Sequence, residues 1–396
     1  MRSYALAITI LIILAFLALP VSARDTNDAI KAYNAAMTGG DAEAKLQTAE
    51  VLGQTAIAES SRRDAPLLAL EAAKTLCLYG DCKSALSLTD WISSHAGGDG
   101  QVSKTEVALV DAFARWRTQP SSASRAALDK ALVPFIEGDL STLTLAAFQH
   151  RYTYDASKQR WAKAMKSANE ASTHFEPFRG AIAQQWSEAE MMRIIADFNA
   201  TPSANEVIAM AEHHVAVSEL IGQYTVPKPD WLFDHFYLTL AWENALMAYF
   251  DSGYSERRWS NLPEEDVVAL KANQRALMRE ALSPGAAIWR RPGTEDDYSH
   301  GDLPFCSGHF DKKPAIKYGG MNAYRGQFGS VVLRVDIENA KVSDLEILAA
   351  VPAGQFEDEA IDAISQWTWV VESGTPGVTC RTSQKNFIQE VIFHIE

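Results

Sequence analysis

The stretch FGSVVLRVDIENAKVSDLEIL (residues 328–348) decides how the chain is read. Val331, Leu333, Val335 and Ile337 alternate with Val332, Arg334, Asp336 and Glu338, the period of two that sends one row of a strand into a core and the other outward. Glu338-Asn339-Ala340-Lys341 then makes a tight turn, in which Asn339 best tolerates a left-handed backbone. The return strand carries Val342 near its start and Leu345, Ile347, Ala349 and Val351 on one face. Beyond Pro352-Ala353-Gly354 the period becomes helical. Phe356, Ala360, Ile364 and Trp367 share one stripe, while Glu357, Asp358, Glu359 and Asp362 lie toward the helix start, where the dipole favours acids. A last alternating segment, FIQEVIFHIE (387–396), sets Phe387, Gln389, Val391, Phe393 and Ile395 against Ile388, Glu390, Ile392 and His394. The order strand, strand, helix, strand predicts a small antiparallel sheet with one helix on one face, an α+β module.

Upstream the pattern changes. From residue 25 to about residue 283 the chain is rich in Ala and Leu with apolar spacings of three and four, and helix punctuation recurs at TGGD (38–41), YGD (79–81), AGGDG (96–100), TQPSS (118–122), NATPS (199–203) and VPKPD (226–230). These cuts predict about a dozen helices of ordinary length. In APLLALEAAKTLCLYGDCKSALSLTDWISSH (65–95) one apolar helix ends at Leu78-Tyr79, Gly80-Asp81 turns the chain, and Ala85 lies three residues past Cys82 in the next helix. The arrangement resembles a tetratricopeptide-type helical hairpin, in which a small residue lets two helices pack closely. TYDASKQRWAKAMKSANEA (153–171) has a similar turn, with small residues at Ala162 and Ala164, although no fixed period aligns successive units. The expectation is an all-α solenoid or bundle of helical hairpins, TPR-like. The helix from Asp230 to Tyr249, bearing Trp231, Phe233, Phe236, Tyr237, Trp242 and Tyr249, is expected to be core rather than a peptide groove. LPEEDVVALKANQRALMREAL (262–282) reads as a final helix, and PGAAIWRRPGTEDDYSHGDLP (284–304) loses periodicity and reads as a linker.

The N-terminus MRSYALAITILIILAFLALPVSARD (1–25) has a basic start, an apolar run from Ala5 to Leu19, Pro20, and small residues before Ala23, which predicts a signal peptide cleaved after Ala23. An uncleaved anchor facing the periplasm is the alternative, because the run is near the lower limit of a span. The division expected is therefore 1–23 signal peptide, 24–283 helical domain, 284–304 linker and 305–396 α+β module. Export makes the four cysteines, Cys77, Cys82, Cys306 and Cys380, candidates for two disulfides. Pairing Cys77 with Cys82 and Cys306 with Cys380 is preferred among three connectivities. A zinc reading of HGDLPFCSGH (300–309), through His300, Cys306 and His309, matches no standard ligand spacing.

Residues from about 314 to 396 resemble the C-terminal domain of the TonB family. The matching positions are Tyr318, Gly326 and Gly329, the hairpin 330–351, Phe356-Glu357, Ala360, Trp367-Thr368-Trp369 and the strand 387–395. The family's proline after the tyrosine is Gly319 here, its usual Asp-Gly turn is Asn339-Ala340, and Cys380 is added in the segment before the last strand. The resemblance implies a β-β-α-β fold and a protein partner, such as an outer-membrane receptor, that adds an extended segment to an open sheet edge. The edge expected is 387–395, with Phe387, Gln389, Val391 and Phe393 at the partner. Ile388 and Ile392 on the other face must be covered by the helical domain, a second copy or a partner. Two features of the family's energy transducers are missing: Ala5 to Leu19 holds no His, and the 15 prolines are scattered instead of forming a spacer.

The net charge of −14, from 36 Lys and Arg against 50 Asp and Glu, argues against nucleic acid or anionic membrane as a partner. The sequence contains no Gly-rich nucleotide loop, His-Glu-x-x-His or Gly-x-Ser-x-Gly. His213-His214 lies in an Ala-rich helix where adjacent rings diverge by about 100°, so a surface or packing role is expected. The function expected is thus a periplasmic, non-catalytic binding or scaffold protein with no cofactor, no metal and no small-molecule substrate. The alternatives are a membrane-anchored energy transducer and a structural or homodimerising envelope protein.

Overall fold

The computed structural model describes residues 26–95, 102–136, 140–223, 229–251, 265, 267–273, 276, 306, 308–311, 316, 328–372 and 379–393. The expected signal peptide, the linker 284–304, Tyr318, Gly326 and His300 lie outside these residues. The described chain is helical ahead of residue 306, except for short connections, and ends in a five-stranded antiparallel sheet. It falls into two compact units, Met1–His150 and Arg151–Glu396.

The first unit contains α1 (Thr26–Gly39), α2 (Ala42–Ala58), α3 (Ala65–Tyr79), α4 (Lys83–His95), α5 (Lys104–Thr118), α6 (Ser122–Ile136) and the start of α7 (Thr142–Ser157). From α1 to α6 each helix packs on the next, as a run of helical hairpins does. Local chemistry sets the helix starts. Asp41 Oδ1 accepts the amide of Ala44 at 2.8 Å, and the Ser103 hydroxyl accepts that of Glu106 at 3.4 Å. Alanine sets the spacing between helices: Ala69, Ala72, Ala73 and Ala85 are fully buried, and a Cβ on Gly53 would lie 2.8 Å from the Leu88 side chain. Cys77 and Cys82 join across the α3–α4 turn with Cα atoms 4.2 Å apart, the pairing preferred from the exported, even cysteine set.

The second unit contains α8 (Trp161–Phe175), α9 (Ala183–Ala200), α10 (Asn205–Gln223), α11 (Asp230–Asp251), β1 (Gly308–Asp311), β2 (Gly329–Glu338), β3 (Lys341–Val351), α12 (Glu357–Ile364), β4 (Thr368–Val371) and β5 (Gln384–Phe393). The sheet order is β1-β4-β3-β2-β5, every pair antiparallel. Two strands not expected from sequence, β1 and β4, are four residues long and pair with each other, Phe310 opposite Trp369. Cys306 precedes β1 and Cys380 precedes β5, and the two are bonded with Cα atoms 5.5 Å apart. That bond removes Cys306 from any zinc set, and His309 lies exposed beside Glu372 at 3.6 Å.

The hairpin turns at Asn339 and Ala340, both left-handed with φ of 51° and 63°. Two positive φ values in a two-residue loop match the right-handed twist of the flanking strands. Ala340 is held there from both sides: its amide donates to the Thr382 carbonyl and its own carbonyl accepts from Trp369, each at 2.8 Å. Ala340→Gly removes the Cβ penalty and is expected to raise the thermal midpoint by the equivalent of about 1 kcal/mol. An unchanged or lowered midpoint in calorimetry would contradict this account of the turn.

One expectation about the return strand is corrected. A register shift between Val332 and Leu333 pairs Ala349 with Val332 but Ile347 with Leu333, so Leu348 is an extra residue. The row facing α12 is therefore Val342, Leu345, Ile347 and Ala350, whereas Ala349 and Val351 turn to the opposite face. A bulge shifts the side-chain parity of everything beyond it.

The α12 stripe reads as expected. Phe356, Ala360, Ile364 and Trp367 are at most 1% exposed and pack on Val331, Leu333, Val335, Ile337, Val391 and Phe393. The other sheet face meets α11, which contacts β2, β3 and β5. This is why Ser330 and Val332 are as buried as Val331, and why β2 is buried on both faces at its start instead of being half-buried. Phe328 continues the attachment, packing edge-on to Phe198 and tilted against Tyr249 with centroid distances of 5.7 and 4.7 Å. The aromatic helix is core: Phe233, Phe236 and Tyr237 are at most 3% exposed, and α11 is buried on nearly every side.

Candidate functional site

β5 is the longer of the two outer strands of the sheet, ten residues against four in β1. One side pairs with β2, from Gly329 opposite Phe393 to Val335 opposite Phe387. The other side has no partner strand among the described residues. Asn386, with φ of 55°, and a register shift beside it break the ladder near the start of β5. The regular edge therefore runs over residues 387–393.

The four residues expected at a partner do not present their side chains to one. Val391 and Phe393 are 2% exposed, and the Phe393 ring stacks on Phe356 at 4.5 Å. Phe387 packs edge-on to Trp369 at 5.1 Å and Phe310 at 5.8 Å, while the Gln389 amide folds back onto the Glu390 carbonyl. The apolar row of β5 is needed to cover the α12 stripe. What the strand offers outward is backbone, together with Ile392, which is 43% exposed.

Behind β5 lies a polar layer that sequence reading missed. Glu390 points toward α11 and accepts a hydrogen bond from the Asn244 side-chain amide. Next to Asn244, Glu243 Oε2 accepts from His214 Nδ1 at 2.7 Å, with both side chains fully buried. His213, the neighbour of His214, places Nε2 3.2 Å from Nε2 of His235, two helical turns before Glu243. The two adjacent histidines thus diverge as helix geometry requires, yet both point at α11 instead of solvent. The Trp186 ring lies 5.6 Å from His213, the Arg179 guanidinium sits over that Trp186 ring 4.1 Å from its centroid, and Phe236 lies 4.6 Å from His214.

Burial dominates the electrostatics of this layer. Desolvation, reinforced by His214, lowers His235 to about 4. Desolvation and then the neighbouring His235 hold His213 well below the ordinary histidine value. Glu390 is raised, by burial first and then by Glu243, against the opposing hydrogen bond from Asn244. Among the described residues, His213 Nδ1, His214 Nε2 and Glu243 Oε1 are buried with no hydrogen-bond partner. The signal that could have found the layer is the run of polar residues in TLAWENALMAYF (239–250): polar side chains in a helix apolar on all faces have to be buried and paired.

With His213, His214, His235 and Glu243 at most 5% exposed, the layer offers a substrate no access. No group of three His, Cys, Asp or Glu suited to a metal ion occurs among the described residues, and no helix among them is long and apolar enough to cross a membrane. Comparison with family models, curated proteins and solved structures finds no match to this chain.

Proposed function

We propose that this chain is an exported, non-catalytic binding scaffold whose C-terminal module, resembling the TonB C-terminal domain, receives an extended segment of a protein partner along β5. The observation that carries this reading is the seven-residue regular edge of β5, which ends the sheet and, among the described residues, pairs on one side only. An edge of that length supplies backbone donors and acceptors in register for an added strand, and Ile392 supplies an exposed apolar side chain at its end. The order of 329–393 is strand, strand, helix, strand, strand; apart from the short β4 it keeps the series on which the family resemblance rests, and Gly329, where a Cβ would lie 2.4 Å from the Phe356 ring, supports the resemblance too. Two paired cysteine sets suit an oxidising compartment such as the periplasm. The TPR-like hairpins of the first unit suit a second protein-binding surface.

A photo-cross-linker at position 392 tests the mode in the full chain, with one at Leu67 in α3 as the reference. Cross-linking at 392 is expected to map to an extended segment of the partner. A synthetic peptide of that segment is then expected to slow exchange of alternate amides over 387–393. N-methylation of one of its inward-facing amides is expected to weaken binding about tenfold, the loss of roughly one backbone hydrogen bond. Full affinity of the N-methylated peptide would rule out strand addition.

A further inference from the structure

The polar layer behind β5 joins three helices to the edge strand through side chains that the strand-addition reading does not use. From α10 it takes His213 and His214, from α11 His235, Glu243 and Asn244, and from β5 Glu390. Trp186 of α9 closes it, and the positive charges of Arg193 on α9 and of Arg179 before that helix face His213. A nitrogen-to-nitrogen distance of 3.2 Å leaves room for one proton between His213 and His235: one Nε2–H donates and the other Nε2 accepts. A proton on both would set two N–H groups head to head in a site 3–5% exposed, with two guanidinium groups nearby.

We propose that the His213–His235 pair is an acid-sensitive latch, whose second protonation separates α10 from α11 and, through Glu243 and Asn244, loosens the seat of β5. The inference does not rest on strand addition, since its readout is the fold itself. The two ends of the layer respond to acid with opposite sign. The histidines are held below their unfolded value of about 6.5, so the unfolded chain binds more protons and stability falls as pH drops from there toward 4. Glu390 is held above its unfolded value, so its charged form weakens the fold at neutral pH and protonation relieves that. Two histidines against one carboxyl leave acid as the opening signal.

The test uses the full chain between pH 7.5 and 5 at constant ionic strength, reading thermal midpoint and amide exchange. Exchange in α10, α11 and β5, corrected for its intrinsic pH dependence, is expected to accelerate about tenfold or more, while the midpoint falls with uptake of one to two protons on unfolding. His235→Gln keeps a donor and an acceptor but does not titrate, and is expected to flatten this dependence. Glu390→Gln is expected to steepen it. Ring NMR of the unaltered protein stands independently of any variant: the two rings coupled across a shared N–H···N bond are expected to stay neutral to well below pH 6. Both rings titrating near 6.5 in the folded chain, or a His235→Gln protein with the unaltered pH dependence, would overturn the latch.

Discussion

Trp367→Ala is expected to destabilise the C-terminal module by about 3–5 kcal/mol, the usual cost of removing a large aromatic from a closed core. Trp367 is 1% exposed at the end of the α12 stripe, and its ring centroid lies 5.8 Å from that of Phe310 in β1. It therefore joins the helix to the strand pair that sequence reading did not find. The cavity cannot close cheaply, because Ile364, Phe356 and the β2 valines around it are themselves fully buried. The measurement is a urea titration with exchange detection on β2 and β5, in which the midpoint should drop and both strands should lose protection together. A loss below about 1 kcal/mol, the size of a surface change, would mean that α12 does not seal the sheet in this way.

Gly329→Ala is the second large effect, and it acts on the candidate edge itself. A Cβ there would stand 2.4 Å from both a Phe356 ring carbon and the Val351 carbonyl oxygen. The ring could tilt, but the carbonyl belongs to the backbone of β3 and cannot swing aside. Overpacking costs about 1–3 kcal/mol, and the backbone contact places this substitution at the upper end or beyond. Gly329 lies opposite Phe393, and Phe393 stacks on Phe356, so the displacement reaches the end of β5 directly. Reduced thermal stability with loss of ordered amide signals at 391–393 is the expected outcome. A variant with the parent's midpoint and spectrum would show that the strand end has slack the structure does not display.

These two positions mark how far the sequence could be read. The alternation of Val331 to Ile337, the left-handed Asn339 and the stripe from Phe356 to Trp367 are local periodicities, legible because a strand repeats every two residues and a helix every 3.6. The role of Gly329 was visible only through resemblance, because the atoms that exclude its Cβ lie 22 and 27 residues away. β1 and β4 went unread because four residues carry too little pattern to separate a strand from a loop. Ala349 and Val351 were placed on the wrong face because a bulge leaves no periodic trace beforehand. At the candidate edge, the alternation in FIQEVIFHIE was correctly read as a strand, yet alternation alone does not say which row the module keeps for its own core.

By itself the sequence determined the types of the longer elements, the helical hairpins, the turn at 339–340 and the strand that ends the sheet, because each follows from short-range periodicity and turn chemistry. Only the tertiary structure decided that α11 covers the second sheet face, that Phe328 is built into a helical cluster, and that His213, His214, His235, Glu243, Asn244 and Glu390 meet. The span from His213 to Glu390 is set by no local preference of the chain. It arises because an apolar helix and an apolar sheet face gain most by excluding water from each other, and the polar groups caught between them must then find partners among themselves.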